Sequence, residues 1–372
     1  MSISRIYLDH NSGTYLDEQL VEEYEKAIRD FWANPSSPHA EGQKARSVLA
    51  RSRGAIADFF GVASEQIIFF SSATEALNTV IRRIALPKTC LGKIITTKVE
   101  HPAVIACCQA LEREGHEVCY LHVDKNGAPD PLLLVEAVDE KTTGIVLMSV
   151  NNETGAIGDI EKYAQIAAEK EIPLIVDGVA QLGKIPFKMH RGIAAACFSS
   201  YKIHGPSGVA FAILDKKRRF DPLIAGGSQE FGLRAGTENV AAIYGCSLAV
   251  EKILCEMESS CARMQSLRDY FEERLLAHGG IHINGEGSRV CNTSNLAFDG
   301  RDGATLLIEL DRKGVAASRG SACSSGALEP SRVLLAMGYS EERVQSSLRF
   351  SLSKFTTREE IERAVEIVVS SC

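Results

Sequence analysis

Several features are scarce in this 372-residue sequence, and each scarcity closes off a class of function. No apolar run reaches the roughly 18 residues of a membrane-spanning helix. No basic run stands out and the formal net charge is −7, which argues against nucleic acid as the main partner. None of the 11 cysteines pairs with another at C-x-x-C spacing, so the common metal and redox motifs are missing and no metal site is expected. The opening residues, Met1-Ser2-Ile3-Ser4-Arg5, lack the apolar core of a signal peptide. With an odd cysteine count, that predicts a reduced, cytoplasmic chain whose cysteines are mostly small buried hydrophobes. Internal repeats and low-complexity segments are lacking too.

What is present is an ordinary soluble balance, 45% apolar and 24% charged, on a chain long enough for two domains. Residues 1–14 read as an extended segment with the polar cluster Asp9 to Thr14. Helical patterns follow at 18–33 and 41–60, separated by the loop Asn34-Pro35-Ser36-Ser37-Pro38-His39. Then apolar strand-like runs alternate with helices. The runs cover 66–70, 93–97, 118–123, 144–150, 173–177, 195–199 and 209–214, and the helices 73–85, 102–114, 131–138 and 160–170. This predicts an α/β fold with a mostly parallel, mixed seven-stranded sheet flanked by helices, and ligands at the carboxyl ends of its strands. A glycine-rich loop, 225–236, and a long helix, 239–278, lead into a smaller α+β region. It holds short strands at 295–298 and 347–352, and helices at 303–313, 330–337 and 358–370. The expected division is 15–256 for the large domain and 1–14 with 257–372 for the small one.

The residues at the strand ends carry the chemistry. Lys202 sits in a polar turn between two apolar runs. It reads either as a solvated hairpin lysine or as an amine held near the core, able to form a Schiff base with an aldehyde cofactor. Ser71-Ser72-Ala73-Thr74-Glu75 opens a helix, either as a capping box or as a phosphate cup. His101 precedes a helix and is either a cap or a ring laid over an aromatic ligand. Asn152 lies in a turn and offers an amide to a ligand oxygen. Asp177 ends an apolar run, either as a cap or as the partner of a pyridinium nitrogen. The G-x-x-x-x-G-K run from Gly178 to Lys184 is a decoy, because Ile185 stands where a P-loop needs Ser or Thr. Cys323 lies in a small, polar loop, a setting that favours a reactive thiol. Strand alternation sets Arg349 opposite Leu348 and Phe350, where it is a surface residue or a bidentate clamp for a carboxylate.

The order of these elements resembles the cysteine desulfurases of the NifS/IscS type, in the fold-type I pyridoxal phosphate superfamily. The likeness runs from Leu8-Asp9 to Phe355-Thr356-Thr357, and its most specific stretch is Ser318 to Ser331, SRGSACSSGALEPS. It implies that Lys202 forms the Schiff base with pyridoxal 5′-phosphate and moves the substrate α-proton. It also implies that Asp177 pairs with the ring nitrogen, that His101 stacks on the ring and assists proton transfer, and that Asn152 contacts the ring hydroxyl region and the substrate. Ala73, Thr74 and Ser199 are implied to hold the phosphate, and Arg349 the carboxylate of L-cysteine. Thr237 is implied to reach a neighbouring subunit's phosphate, hence a homodimer. Cys323 is the implied nucleophile; it accepts sulfur and passes it to an acceptor or scaffold protein, for iron–sulfur assembly or tRNA thiolation.

The sequence departs from the family pattern at four places. Tyr201 stands where histidine is usual before the lysine, and is expected to hydrogen-bond the phosphate. Gln181 falls four residues after Asp177 rather than three, with Ala180 in the usual place; a local bulge would be needed to bring Gln181 to the cofactor. Phe231 replaces a usual arginine. The chain ends soon after its last helical pattern, where some family members continue into a scaffold-docking tail. Three readings stay open: a desulfurase, another enzyme on this fold such as a selenocysteine lyase or transaminase, or a sulfur-assembly binding partner without turnover.

Overall fold

The computed structural model describes residues 5–86, 91–320 and 330–372. Its chain starts with β1 (Ile6–Tyr7), then α1 (Glu18–Asp30) and α2 (Ala40–Phe60). Seven strands follow: β2 (Ile67–Phe70), β3 (Lys93–Thr97), β4 (Glu117–Leu121), β5 (Thr142–Met148), β6 (Leu174–Asp177), β7 (Ile193–Ser199) and β8 (Ala210–Leu214). Interleaved with them are α3 (Ala73–Ile84), α4 (Pro102–Arg113), α5 (Pro131–Ala137) and α6 (Ile160–Glu169). The long α7 (Val240–Leu276) leads to β9 (Ile281–Ile283), β10 (Thr293–Phe298), α8 (Gly303–Arg312) and β11 (Val315–Ala316). Then come α9 (Arg332–Ala336), α10 (Glu341–Gln345), β12 (Ser347–Ser351) and α11 (Arg358–Val369).

The seven strands expected from the sequence form one sheet in the order β2-β8-β7-β6-β5-β3-β4. Only β8 runs against its neighbours. The sheet is therefore mixed but mostly parallel, as expected, and the carboxyl ends of β2, β3, β5, β6 and β7 share one edge. Its strands read as continuous apolar runs because helices cover both faces. One face packs a core around Phe60, Phe198 and Phe211; the other packs one around Leu77, Val80, Ile94 and Cys197. A third core, around Phe271, Leu296, Phe298 and Phe350, lies beneath the sheet β12-β10-β9.

α7 serves two of these cores. Its residues Ile243, Cys246, Val250 and Ile253 pack in the large one, and Met264, Leu267, Phe271 and Leu275 in the small one. The change of core falls near residue 257, inside a continuous helix. On that basis we propose the division of 15–256 from 1–14 and 257–372. Among the described residues, no helix is long and apolar enough to cross a membrane.

Two charged anchors position the site. Arg53 of α2 donates to both oxygens of Glu230 at 2.7 and 2.6 Å, and Glu230 also accepts the Phe69 N–H at 2.8 Å. This buried pair fixes the glycine-rich loop against β2. Glu230 and Phe231 both take positive φ (49° and 59°), a strained backbone that only such over-determination sustains. Phe231 lays its ring 5.0 Å from the Arg53 guanidinium. Asp17 accepts from both Lys252 (2.7 Å) and Lys354 (2.8 Å), tying the N-terminal segment to α7 and to the chain after β12.

Two buried histidines face each other in the same region, with ring centroids 6.0 Å apart. Burial holds His10 down at about 3 and His204 at about 4, far below an exposed imidazole. His204 contacts the Tyr15 carbonyl at 2.9 Å and the Ser353 hydroxyl at 3.1 Å. Below about pH 6.5 the unfolded chain binds protons that the folded chain refuses, so acid destabilises the fold. Urea denaturation should show stability falling from pH 6.5 to about pH 4, by about 1.4 kcal/mol per pH unit for each histidine. His204→Asn should flatten that slope by one histidine's share.

Candidate active site

One cleft opens along the shared edge of strand ends. Its wall includes His10, Asn11, Ser12, Ser72, Ala73, Thr74, His101, Asn152, Asp177, Ala180, Lys184, Ser199, Tyr201, Lys202 and Arg349. The geometry thus gathers Ala73, Thr74, His101, Asn152, Asp177, Ser199, Tyr201, Lys202 and Arg349 from positions spread over 277 residues (349 − 73 + 1). Three other expected residues are not among them, and each has its own reason.

Lys202 is not a solvated hairpin lysine. It closes a short 3₁₀ turn after β7, and its Nζ donates to the carbonyls of Asn11 (2.5 Å) and Ser12 (2.8 Å). It lies over the Tyr201 ring, 4.5 Å from the centroid. Thr14 bonds the Tyr201 carbonyl through both N–H and hydroxyl, so the N-terminal segment braces the lysine turn.

At the far end of the cleft, α3 presents its N-terminus. Ser72 caps it by accepting the Glu75 N–H at 3.1 Å, but the reciprocal half of a capping box is not made. Glu75 instead accepts from Ser71 and pairs with Arg234 at 2.9 Å. The first helical residues, Ala73 and Thr74, therefore keep N–H groups that point out of the helix end toward the cleft, where the helix dipole favours an anion.

His101 caps α4: its Nδ1 accepts the Ala103 N–H at 3.1 Å, which leaves the ring proton on Nε2. The cap reading holds, and the same residue also lines the cleft. Burial lowers the His101 imidazole, opposed by the Asp177 carboxylate. Burial likewise raises the Asp177 carboxyl, opposed by the neighbouring His101 ring, the Val179 N–H and Lys202. Among the described residues, the Asp177 carboxylate accepts one hydrogen bond, at Oδ1 from the Val179 N–H at 3.1 Å. A carboxylate so buried gains most from a cationic partner. Behind it, Glu100 is buried with its acid pushed up to about 8, chiefly by desolvation and then by Asp177, and so stays protonated at neutral pH.

Arg349 is fully buried rather than on the surface. Its Nη2 donates to Asp9 (2.7 Å) and Ser12 (2.6 Å), and its Nη1 to the Asn152 carbonyl (2.9 Å). Its Nε and the side-chain oxygen of Asn152 are both buried and find no hydrogen-bond partner among the described residues. Orphaned polar atoms of this kind, at the wall of a cleft, mark places for ligand atoms.

Gln181 is corrected by the structure. Its Nε2 donates to the Pro186 carbonyl at 2.7 Å, and it lines a separate hollow beside Phe187 and His190. No bulge restores it to the cleft. Ala180 takes the cleft position, so the one-residue offset turns the amide away. Thr237 stands in an exposed loop outside the cleft. Cys323 lies outside the described residues.

Three residues of the site region carried no role in the sequence reading. His10 and Lys184 line the cleft; His10 sat in the polar Asp9–Thr14 cluster, and Lys184 in the rejected P-loop decoy. Glu153 is buried beside both ends of the cysteine loop. Ser331 donates to its Oε2 at 2.5 Å, and a Cβ added at Gly320 would come within 2.5 Å of the same oxygen. The only signal for it was its place beside Asn152.

Comparison with known proteins finds relatives over nearly the whole chain. The aminotransferase class-V family model matches residues 6–364. A protein named cysteine desulfurase from Nostoc sp. (strain PCC 7120) is 38% identical over 369 residues, 98% of this chain and 92% of that one. Cysteine desulfurase IscS of Dictyoglomus turgidum is 39% identical over 370 residues, 98% of this chain and 93% of that one. A solved NifS-like protein superposes with a TM-score of 0.92 at 33% identity, covering 98% of both chains. Matched over nearly its whole length in sequence and in fold, the chain belongs to the class-V aminotransferase family, within its cysteine desulfurase group.

Proposed function

We propose that the protein is a pyridoxal phosphate-dependent cysteine desulfurase. It converts L-cysteine and the Cys323 thiol into L-alanine and a Cys323 persulfide. The observation that carries this reading is the convergence of Lys202, Asp177, His101, the α3 N-terminus and Arg349 on one cleft.

The residues present suit the cofactor. The α3 N-terminus with Ala73 and Thr74, together with Ser199 and Tyr201, offers donors to a phosphate. The buried Asp177 carboxylate suits a protonated ring nitrogen, and the orphaned Asn152 oxygen suits a polar substituent on the ring or the substrate. When bound, pyridoxal phosphate supplies an electron sink for the electron pair left on the substrate Cα.

The chain's own residues do the rest. Lys202 would hold the cofactor through its Nζ and would move the substrate α-proton. Asp177 would keep the ring nitrogen protonated. His101, neutral and protonated on Nε2, presents a donor to the cleft. Arg349 receives the substrate carboxylate, its guanidinium already fixed by Asp9, Ser12 and Asn152, so little freedom is lost on binding. The Cys323 thiolate takes the substrate sulfur: an S–S bond forms as the Cβ–S bond breaks, Cβ takes up one proton, Cα regains the one it lost, and the three-carbon unit leaves as alanine. A transaminase needs no such thiol.

We further propose a homodimer in which exposed Thr237 faces the neighbouring subunit's phosphate site, with sulfur handed to an acceptor or scaffold protein. A cytoplasmic setting is supported by the described cysteines, all of which are free thiols.

Purified protein reconstituted with pyridoxal phosphate and given L-cysteine with a reductant should release alanine and sulfide in equal amounts. Lys202→Ala should abolish both, and borohydride should no longer fix the cofactor to the chain. Cys323→Ala should keep the borohydride-reducible cofactor on Lys202 yet form no persulfide; normal alanine release from it would move the nucleophile elsewhere. Arg349→Lys removes charge-assisted hydrogen bonds worth about 1.5–3 kcal/mol, so kcat/KM for L-cysteine should fall roughly ten- to hundred-fold.

A further inference from the structure

A second cavity adjoins the cleft, and His10, Lys184 and Lys202 stand in both walls. Much of its own lining is apolar, from Leu182, Ile253, Met257, Met264 and Leu352, with Ser260 of α7 among them. Its volume is about 60 Å³. That is room for about four to six waters, or for one small molecule of similar size. Arg349 and the α3 N-terminus line the cleft but not this space, so the proposed desulfurase reaction leaves it unassigned.

The charges around it do not balance. Asp17 accepts from Lys252 at 2.7 Å and from Lys354 at 2.8 Å, and Glu256 accepts from Lys354 at 2.7 Å. Two carboxylates thus meet two ammonium groups in one network. Lys202 rests on the carbonyls of Asn11 and Ser12. Lys184 has no such partner: among the described residues its one hydrogen bond is a long one, 3.5 Å to the Leu182 carbonyl, and it pairs with no carboxylate. Burial shifts its ammonium down from the ordinary lysine value. A buried cation without a counter-charge is costly, and an anion beside it offsets much of that cost. His10 adds a second unmet group. It is 6% exposed, and its Nδ1 is buried and finds no hydrogen-bond partner among the described residues. His204 differs, because its ring nitrogens contact the Tyr15 carbonyl and the Ser353 hydroxyl.

We propose that this cavity is a binding site for a small monocarboxylate, which sets its carboxylate on Lys184 and its short aliphatic tail against the apolar lining.

The ligand class follows from the wall. One uncompensated cation calls for one negative charge, and a dianion would bring a second, unpaired one toward Asp17 and Glu256. The apolar lining calls for hydrocarbon rather than a second polar end. The volume limits the tail to about three carbons. His10 and Ser260 offer further polar atoms to the carboxylate. Because Lys184 also lines the cleft, a carboxylate held there neutralises one of the cations that face the active site.

The test titrates the full-length protein, loaded with pyridoxal phosphate, with butyrate and follows binding by saturation-transfer NMR. Butyrate should bind saturably, and n-butanol, with the same tail and no charge, roughly tenfold more weakly or worse. Lys184→Met, which keeps the length of the side chain and removes its charge, should weaken butyrate roughly ten- to hundred-fold. Ser260→Leu, which fills the cavity from α7 at a position outside the cleft wall, should abolish binding. Arg349→Lys should leave butyrate affinity as in the wild type. The proposal is overturned by a wild-type protein that shows no saturable binding, or that binds n-butanol as well as butyrate. It is equally overturned if Lys184→Met or Ser260→Leu binds butyrate with wild-type affinity. Loss of butyrate binding in Arg349→Lys would place the acid in the cleft and overturn it too.

Discussion

A buried guanidinium is the constraint on which the rest of the site depends. Arg349 sits in β12 with almost no solvent, and a charge so placed is tolerated only when its donors are met. Asp9, Ser12 and the Asn152 carbonyl meet them. One cation thereby draws together the N-terminal segment, the turn after β5 and the small sheet. The same N-terminal residues then serve Lys202, whose ammonium rests on the carbonyls of Asn11 and Ser12. The lysine and the arginine, 147 residues apart (349 − 202), are held in register through three residues near the start of the chain, Asp9, Asn11 and Ser12.

The electrostatics of the cleft follow from burial rather than from net charge. Lys202, Lys184 and Arg349 line the cleft together with Asp177, whose carboxyl burial shifts up, and His101, whose imidazole burial shifts down. The helix end at Ala73 adds a further positive potential. Such a cleft suits a ligand with a dianionic end, a cationic ring atom and a carboxylate on the attached substrate. Glu100 stays protonated behind Asp177, so the wall of the site carries one fewer negative charge than its composition suggests.

The large sheet was legible because helices on both faces make each strand a bare apolar run; all seven runs became its seven strands. β1, β9 and β11 were not, being two or three residues long and defined by pairing rather than pattern. In the site, Lys202, Asp177, His101 and Asn152 were legible because they follow strand ends, where chain topology puts ligands. The burial of Arg349 was not, since its acidic partner, Asp9, is 340 residues distant. Gln181 was named despite its offset, and local geometry turned it toward Pro186. Glu153 escaped because its importance lies in what touches it from 320 and 331, and nothing adjacent in sequence announces that.

The continuity of α7 reaches beyond the site. Two cores share one helix of 37 residues, and no loop lies where one core gives way to the other. Melting the small core would strip the apolar cover from the distal half of α7, and a helix frays from such an end into its remaining turns. The loss would also loosen the Lys252 and Lys354 contacts on Asp17 and, through them, the N-terminal segment under Lys202. The arrangement therefore favours a single cooperative unit over two independently folding modules, with catalytic competence and global integrity lost together.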